Sequence, residues 1–224
     1  MKKYEFTGET KTVELKSETV TLHRIKAVAE FGSVGIGDFG GWIEKEKNLS
    51  HEGMAWVSDN AVICGNAVVR GDAGVADSAR VCGNAKVRGD AVVRGDAVVS
   101  DNAVICGNAV VSGDAEVDDS ARVCGNAMVY DNAEVSDNAV ICGNAVVSDD
   151  AEVEDSARVC GNAEVRGFSV VCGDAVVSDN AVICGNAMVR GFAVVCGDAV
   201  VSDDAVVSDD AVVCGNAEVC DIEG

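Results

Sequence analysis

A six-residue period governs most of this chain. From Val57 to Val219 every sixth residue is Val or Ile, 28 positions in succession, with Ile at 63, 105, 141 and 183. The residue four later is Ala from Ala61 to Ala217, with Ser169 the one exception. Two residues after each Val stands Gly or Asp, followed by Asn, Asp or Ser except at Phe168, Phe192 and Ile222. The Ala-x-Val trio alternates inward, outward and inward as a short strand does. Gly, Asn and Asp then supply a corner, because they tolerate the left-handed backbone conformation that a sharp turn requires.

Strands this short cannot stand alone. They become stable when successive coils stack at about 4.8 Å, completing parallel ladders and placing Val on Val. Composition agrees with a thin core repeated many times. Apolar residues make up 48% of the chain, aromatics only 4%, and Pro is absent.

The consensus Val-x-(Gly/Asp)-(Asn/Asp)-Ala-x resembles the hexapeptide repeat of left-handed parallel β-helices. That resemblance implies an all-β, three-sided solenoid of left-handed coiling, with three hexads to each coil. The run from Val57 then gives about nine coils, roughly 45 Å at the strand spacing. The preceding segment contains Leu22-His23-Arg24-Ile25-Lys26-Ala27, Gly37-Asp38-Phe39-Gly40-Gly41-Trp42-Ile43-Glu44 and Asn48-Leu49-Ser50. It resembles the leader of hexapeptide-repeat proteins of bacteria and their phages, mostly uncharacterised, some labelled transferases through the repeat alone.

Two segments are expected: a β-rich N-terminal cap over residues 1–56 and the solenoid over 57–224. In the leader, Lys2–Thr7 and Thr12–Leu15 read as a hairpin through Gly8-Glu9-Thr10, with Val20–Phe31 a longer β segment. Phe31, Phe39, Trp42 and Trp56 are expected to cap the first coil, since terminal repeats need a cover. The repeat runs to Cys220 and stops at Asp221-Ile222-Glu223-Gly224, so the last coil is expected to leave an edge guarded by charge or met by another copy.

Net charge is −21. Residues 1–56 hold 8 basic and 9 acidic groups, leaving 9 basic and 29 acidic for the repeats. Such a field disfavours direct contact with nucleic acid or anionic membrane, and favours solubility and basic protein partners. Met1-Lys2-Lys3 is followed by a polar stretch, not an apolar signal region, and no segment has the apolar length of a membrane span. With 11 Cys and no secretion signal, a reducing cytoplasmic location is expected, or a place in a phage particle.

Written three hexads to the row, the sequence falls into columns. Cys106, Cys124, Cys142, Cys160, Cys196 and Cys214 share one, interrupted by Ser178 above Arg70 and Arg88, and Cys64 and Cys82 share another. Such a ladder suggests small corner fillers, disulfide rungs or soft-metal ligands. No Cys-x-x-Cys occurs, so neither metal nor cofactor is expected. The amides of Asn108, Asn126, Asn144, Asn162 and Asn180 are positioned to form a ladder of their own. Asp pairs such as Asp149-Asp150 read as solvated turns, because the calcium nonapeptide of other solenoids is missing.

Outward strand positions are unusually apolar. One column runs Val68, Lys86, Val104, Arg122, Val140, Arg158, Val176, Val194, Val212; its neighbour holds Val92, Val110, Met128, Val146, Val182 and Val200. A third, with Arg80, Glu116, Glu134 and Glu152, reads as solvated. Flat Val surfaces point to lateral association. Phe168 and Phe192, each after Arg-Gly, are candidate contact points.

Three functions follow. The first is a non-catalytic structural rod that associates with itself. The second is an acidic decoy that imitates nucleic acid and occupies basic protein sites, by analogy with another solenoid class. The third is acyl transfer, implied by the resemblance to left-handed β-helix acyltransferases. Those enzymes use a His base and inserted loops, whereas this chain has only His23 and His51, both in the leader, and no insertion in 28 units. No catalytic residue is therefore assigned.

Overall fold

The computed structural model describes residues 2–15 and 18–220. Every hexad from Val57 onward contributes a two-residue strand, and each strand pairs in parallel with the one three hexads on, as in Val92↔Val110 and Val110↔Met128. Three sheets of 12, 9 and 10 strands result, which together wind about ten coils. Among the described residues there is no α-helix; the one helical piece is a 3₁₀ turn at Glu46–Asn48.

The period-six grammar has a simple cause. Within each hexad three N–H groups donate to carbonyls on the next coil, as Val92 to Ala109 at 2.9 Å, Arg94 to Val111 at 3.0 Å and Asp96 to Gly113 at 2.8 Å. The Ala and Val on either side of the outward residue point inward, and in the interior coils they are completely buried. Each buried Val contributes about 1.5–3 kcal/mol. Ser169 is buried where Ala is the rule, and its hydroxyl donates to the Arg166 carbonyl oxygen at 2.9 Å.

Corners explain the Gly/Asp position. Gly107 has φ +74°, and Asp101 and Asp119 have +54° and +49°, all in the left-handed region. The N–H of this corner residue lies outside the regular ladder. At several corners an Asp one coil earlier accepts that N–H through its carboxylate: Gly95 donates to Asp77 and Gly167 to Asp149, both at 3.0 Å. Part of the acidic excess is thus corner chemistry, since an ionised carboxylate is a pure acceptor.

The leader departs from its expected hairpin. Strand β1 runs unbroken over Tyr4–Leu15 and pairs antiparallel with β2, Glu18–Ala27. Gly8, with φ +91°, makes a register shift between Phe6 and Thr10 instead of a chain reversal. A glycine inside a strand accommodates a bulge without ending it. The longer β segment also stops early, at Ala27.

Strand β3, Phe39–Ile43, leads into the solenoid. Its Trp42 and Ile43 pair in parallel with Val62 and Ile63. Leu49 then bridges Val69, and Trp56 pairs with Gly74. The leader therefore winds a first coil before the regular spelling starts at Val57. Gly40 and Gly41 lie at the crossing point: a Cβ on Gly40 would meet Ile25 Cγ1 at 2.6 Å and the Val57 carbonyl oxygen at 2.7 Å.

Tyr4, Ile25, Ile43 and Leu49 close the core end, all at most 1% exposed. The Tyr4 hydroxyl donates to the Leu49 carbonyl oxygen at 2.9 Å. Trp56 packs against the edge of this cluster, with Phe31 edge-on to it at 5.4 Å. Trp42 belongs to a separate cluster on the outside, and Phe39 is 52% exposed beneath the Arg24 guanidinium. Asp221 to Gly224, including Ile222, lie outside the described residues.

Candidate interaction surface

Three outward columns follow from the register. The first face carries Val62, Arg80, Val98, Glu116, Glu134, Glu152, Val170, Met188 and Val206. The second carries the Val column from Val68 to Val212 with Lys86, Arg122 and Arg158 between, and all six of its Val residues lie in one ladder. The third places Val92, Val110, Met128 and Val146 on consecutive coils, then Glu164, Val182 and Val200.

What an outward Val does when covered is visible within the chain. Val62 lies under the leader in a cluster with Leu22 and Trp42, and is nearly buried. In the same column Val98 and Val170, which the leader does not reach, are half-buried, and Val206, on the last strand of its sheet, is 54% exposed. On the second face Val68, Val104, Val140, Val176 and Val194 are half-buried by their neighbours, and Val212 is exposed.

Charge divides the same faces. Glu116, Glu134 and Glu152 stand in register on consecutive coils, all exposed. Like charges directly opposed in a sheet repel. Around one corner, on the same coils, the second face presents Arg122 and Arg158.

Phe168 and Phe192 sit on different corners, 66% and 65% exposed. Their backbones keep the repeat's bonds, since Phe168 N–H donates to Gly185 at 2.8 Å and Gly167 holds the left-handed corner. The aromatic rings are additions to an intact corner.

The Asn ladder forms. Asn108, Asn126, Asn144 and Asn162 each donate Nδ2 to the Oδ1 of the Asn one coil on, at 2.8–2.9 Å, and Asn180 continues to Asp198. The cysteine column also stacks at one corner. Cys196 and Cys214 are joined by a disulfide, with Cα atoms 4.6 Å apart, while Cys106, Cys124, Cys142 and Cys160 are free thiols.

Both histidines belong to the leader's packing. His51 stacks on Tyr4 at 4.3 Å and its Nδ1 accepts the Lys3 N–H at 3.2 Å. Burial is the main cause that lowers its pKa. His23 lies 4.9 Å from the Phe6 ring. Among the described residues, no helix is long and apolar enough to cross a membrane.

Fold and faces together define a repeat β-solenoid protein. Residues 121–137 match a family model described as the YdcK beta solenoid repeat. Over 77 residues the chain is 35% identical to the "Uncharacterized acetyltransferase YdcK" of Escherichia coli (strain K12), covering 32% of this chain. The match spans about a quarter of that relative's length, 24%.

Proposed function

We propose that this protein is a non-catalytic scaffold whose solenoid associates side by side with further copies of itself through the Val columns. The observation that carries this reading is the contrast between Val62 and its column mates Val98 and Val170: an outward Val is buried where the leader supplies an apolar cover, and stays partly in water on the coils the leader does not reach. The third face offers four apolar residues on consecutive coils, which suits a contiguous patch of the kind that marks association sites. The opposed signs of the Glu116–Glu134–Glu152 column and of Arg122 and Arg158 supply complementary charge for a second copy.

The experiment is the mass in solution. Light scattering at micromolar concentration should give a multiple of the 22.9 kDa chain, and Val110→Glu with Val146→Glu should reduce it to one chain while the circular dichroism stays unchanged. A single-chain mass for the unaltered protein at that concentration contradicts the reading.

Acetyl transfer is a second reading, favoured by the name of the Escherichia coli relative. It needs a general base beside a bound acyl donor. His51 could serve only by giving up the Lys3 N–H it accepts. Turnover of acetyl-CoA that His51→Gln abolishes would replace the scaffold reading.

A further inference from the structure

Eight of the eleven cysteines have another cysteine one coil away, and they fall into pairs. Cys64 and Cys82 are in contact, Sγ to Sγ 2.7 Å. In the long column Cys106, Cys124, Cys142 and Cys160 occupy four consecutive coils, and neighbours pair off completely only as Cys106–Cys124 and Cys142–Cys160. Ser178 separates these four from Cys196 and Cys214, which are already a disulfide. Cys172, Cys184 and Cys220 have no cysteine one coil away.

We infer that the stacked cysteines are an oxidation site, four dithiol pairs that each close into a disulfide linking one coil to the next: Cys64–Cys82, Cys106–Cys124, Cys142–Cys160 and Cys196–Cys214. Stacking sets the geometry. Cα atoms one coil apart fall in the range a disulfide spans, as the 4.6 Å of Cys196 and Cys214 illustrates. At Cys64 and Cys82 the two sulfurs already touch, and the in-register stack sets the other pairs one coil apart as it does Cys196 and Cys214.

The oxidant is a low-molecular-weight disulfide such as oxidised glutathione. Within the first pair, Cys64 S–H donates to the Cys82 sulfur, which holds the Cys82 thiol below its ordinary value, with Arg80 adding to the effect. Thiolate is the nucleophile in exchange. The Cys82 thiolate attacks one glutathione sulfur and expels the first glutathione as thiolate. Cys64 then attacks the Cys82 sulfur and expels the second. One disulfide is reduced to two glutathiones, the two thiols become one rung, and their two protons end on the glutathiones.

In the long column burial is the main cause that raises Cys124 and Cys142, followed by the neighbouring thiols.

The test is thiol counting with peptide mapping. Reduced and unfolded, the chain should alkylate at all 11 cysteines. Folded protein equilibrated with oxidised glutathione should retain three unpaired cysteines, Cys172, Cys184 and Cys220, each counted as an unpaired thiol whether free or carrying one glutathione by mass. Non-reducing digestion should yield the four one-coil pairs. Cys124→Ser should leave four thiols, with Cys106 the new one and Cys142–Cys160 intact; Ser already stands in this column at 178, so the variant keeps the fold. A count that stays at nine, or peptides that join Cys124 to Cys142 or cysteines more than one coil apart, would overturn the inference. Neither result bears on the lateral association proposed above.

Discussion

Asn48 reaches across the seam between leader and solenoid to Ala67, its Nδ2 donating to the Ala67 carbonyl oxygen at 2.8 Å. The same amide also donates to Gly65, at 3.2 Å, and its Oδ1 accepts the Lys45 N–H at 2.8 Å. One buried side chain thus does what a strand backbone does elsewhere in the stack. Glu44 assists by accepting the Gly65 N–H at 2.6 Å.

Removing that amide leaves a buried carbonyl without a donor. Asn48→Leu should destabilise the leader by about 1–3 kcal/mol, the usual cost of an unsatisfied buried polar group. Chemical denaturation followed by Trp42 and Trp56 fluorescence is the measurement.

At the crossing, Gly40 tolerates no side chain. A Cβ there would press on Ile25, Trp56 and the Val57 carbonyl oxygen within 2.7 Å. Gly40→Ala should cost about 1–3 kcal/mol as overpacking, seen as faster limited proteolysis of residues before Val57 while the repeats stay resistant.

This part of the molecule was the least legible from sequence, and the reason is a matter of phase. Ile43 and Leu49 are six apart, as the repeat demands, yet their partners Ile63 and Val69 lie two residues beyond the regular coil length. The added residues fall in the corner that contains Gly53, φ +70°. A search locked to Val57 therefore starts one coil late. The four expected capping aromatics divide: Trp56, with Phe31 edge-on to it, packs against the end of the core, whereas Trp42 and Phe39 lie outside it, and Tyr4, Ile25, Ile43 and Leu49 fill the buried positions there. From Val57 onward inward and outward positions, corners and the stacking of Cys and Asn were all readable, because an uninterrupted period leaves only one register.

Lys3 couples the leader's stability to alkaline pH. Its ammonium is buried, donating to the Ala55 carbonyl oxygen at 2.8 Å, and burial pulls its pKa down to about 8, with Asp72 opposing. The charged form is then disfavoured in the folded state. Between about pH 8 and the ordinary lysine range the unfolded chain holds more protons, so stability should rise with pH over that window. Above about pH 10 Tyr4 opposes it, because burial raises its phenol and unfolding releases that proton. Melting temperature measured from pH 7 to 9.5 should increase, and Lys3→Met should flatten the increase.

Ser169 offers a subtle comparison. Its hydroxyl satisfies itself on Arg166, so Ser169→Ala, which restores the consensus, should change stability by less than about 1 kcal/mol. Ser169→Val should lose about 1–3 kcal/mol, because the inward position four after each Val is filled by Ala throughout the interior coils. Thermal denaturation of the two variants beside the unaltered chain makes the comparison.

The stacking itself can be measured with a ruler. Asp114, Asn186 and Asp204 share one exposed corner column, with Asp114 and Asp204 five coils apart if three hexads make a coil. Spin labels on unnatural amino acids placed at 114 and 204 should give a mean separation of about 24 Å, and moving the second label to 186 should shorten it by about 5 Å, one strand spacing. Separations that do not change by one spacing for every three hexads would contradict the stacked coil on which every column and face depends.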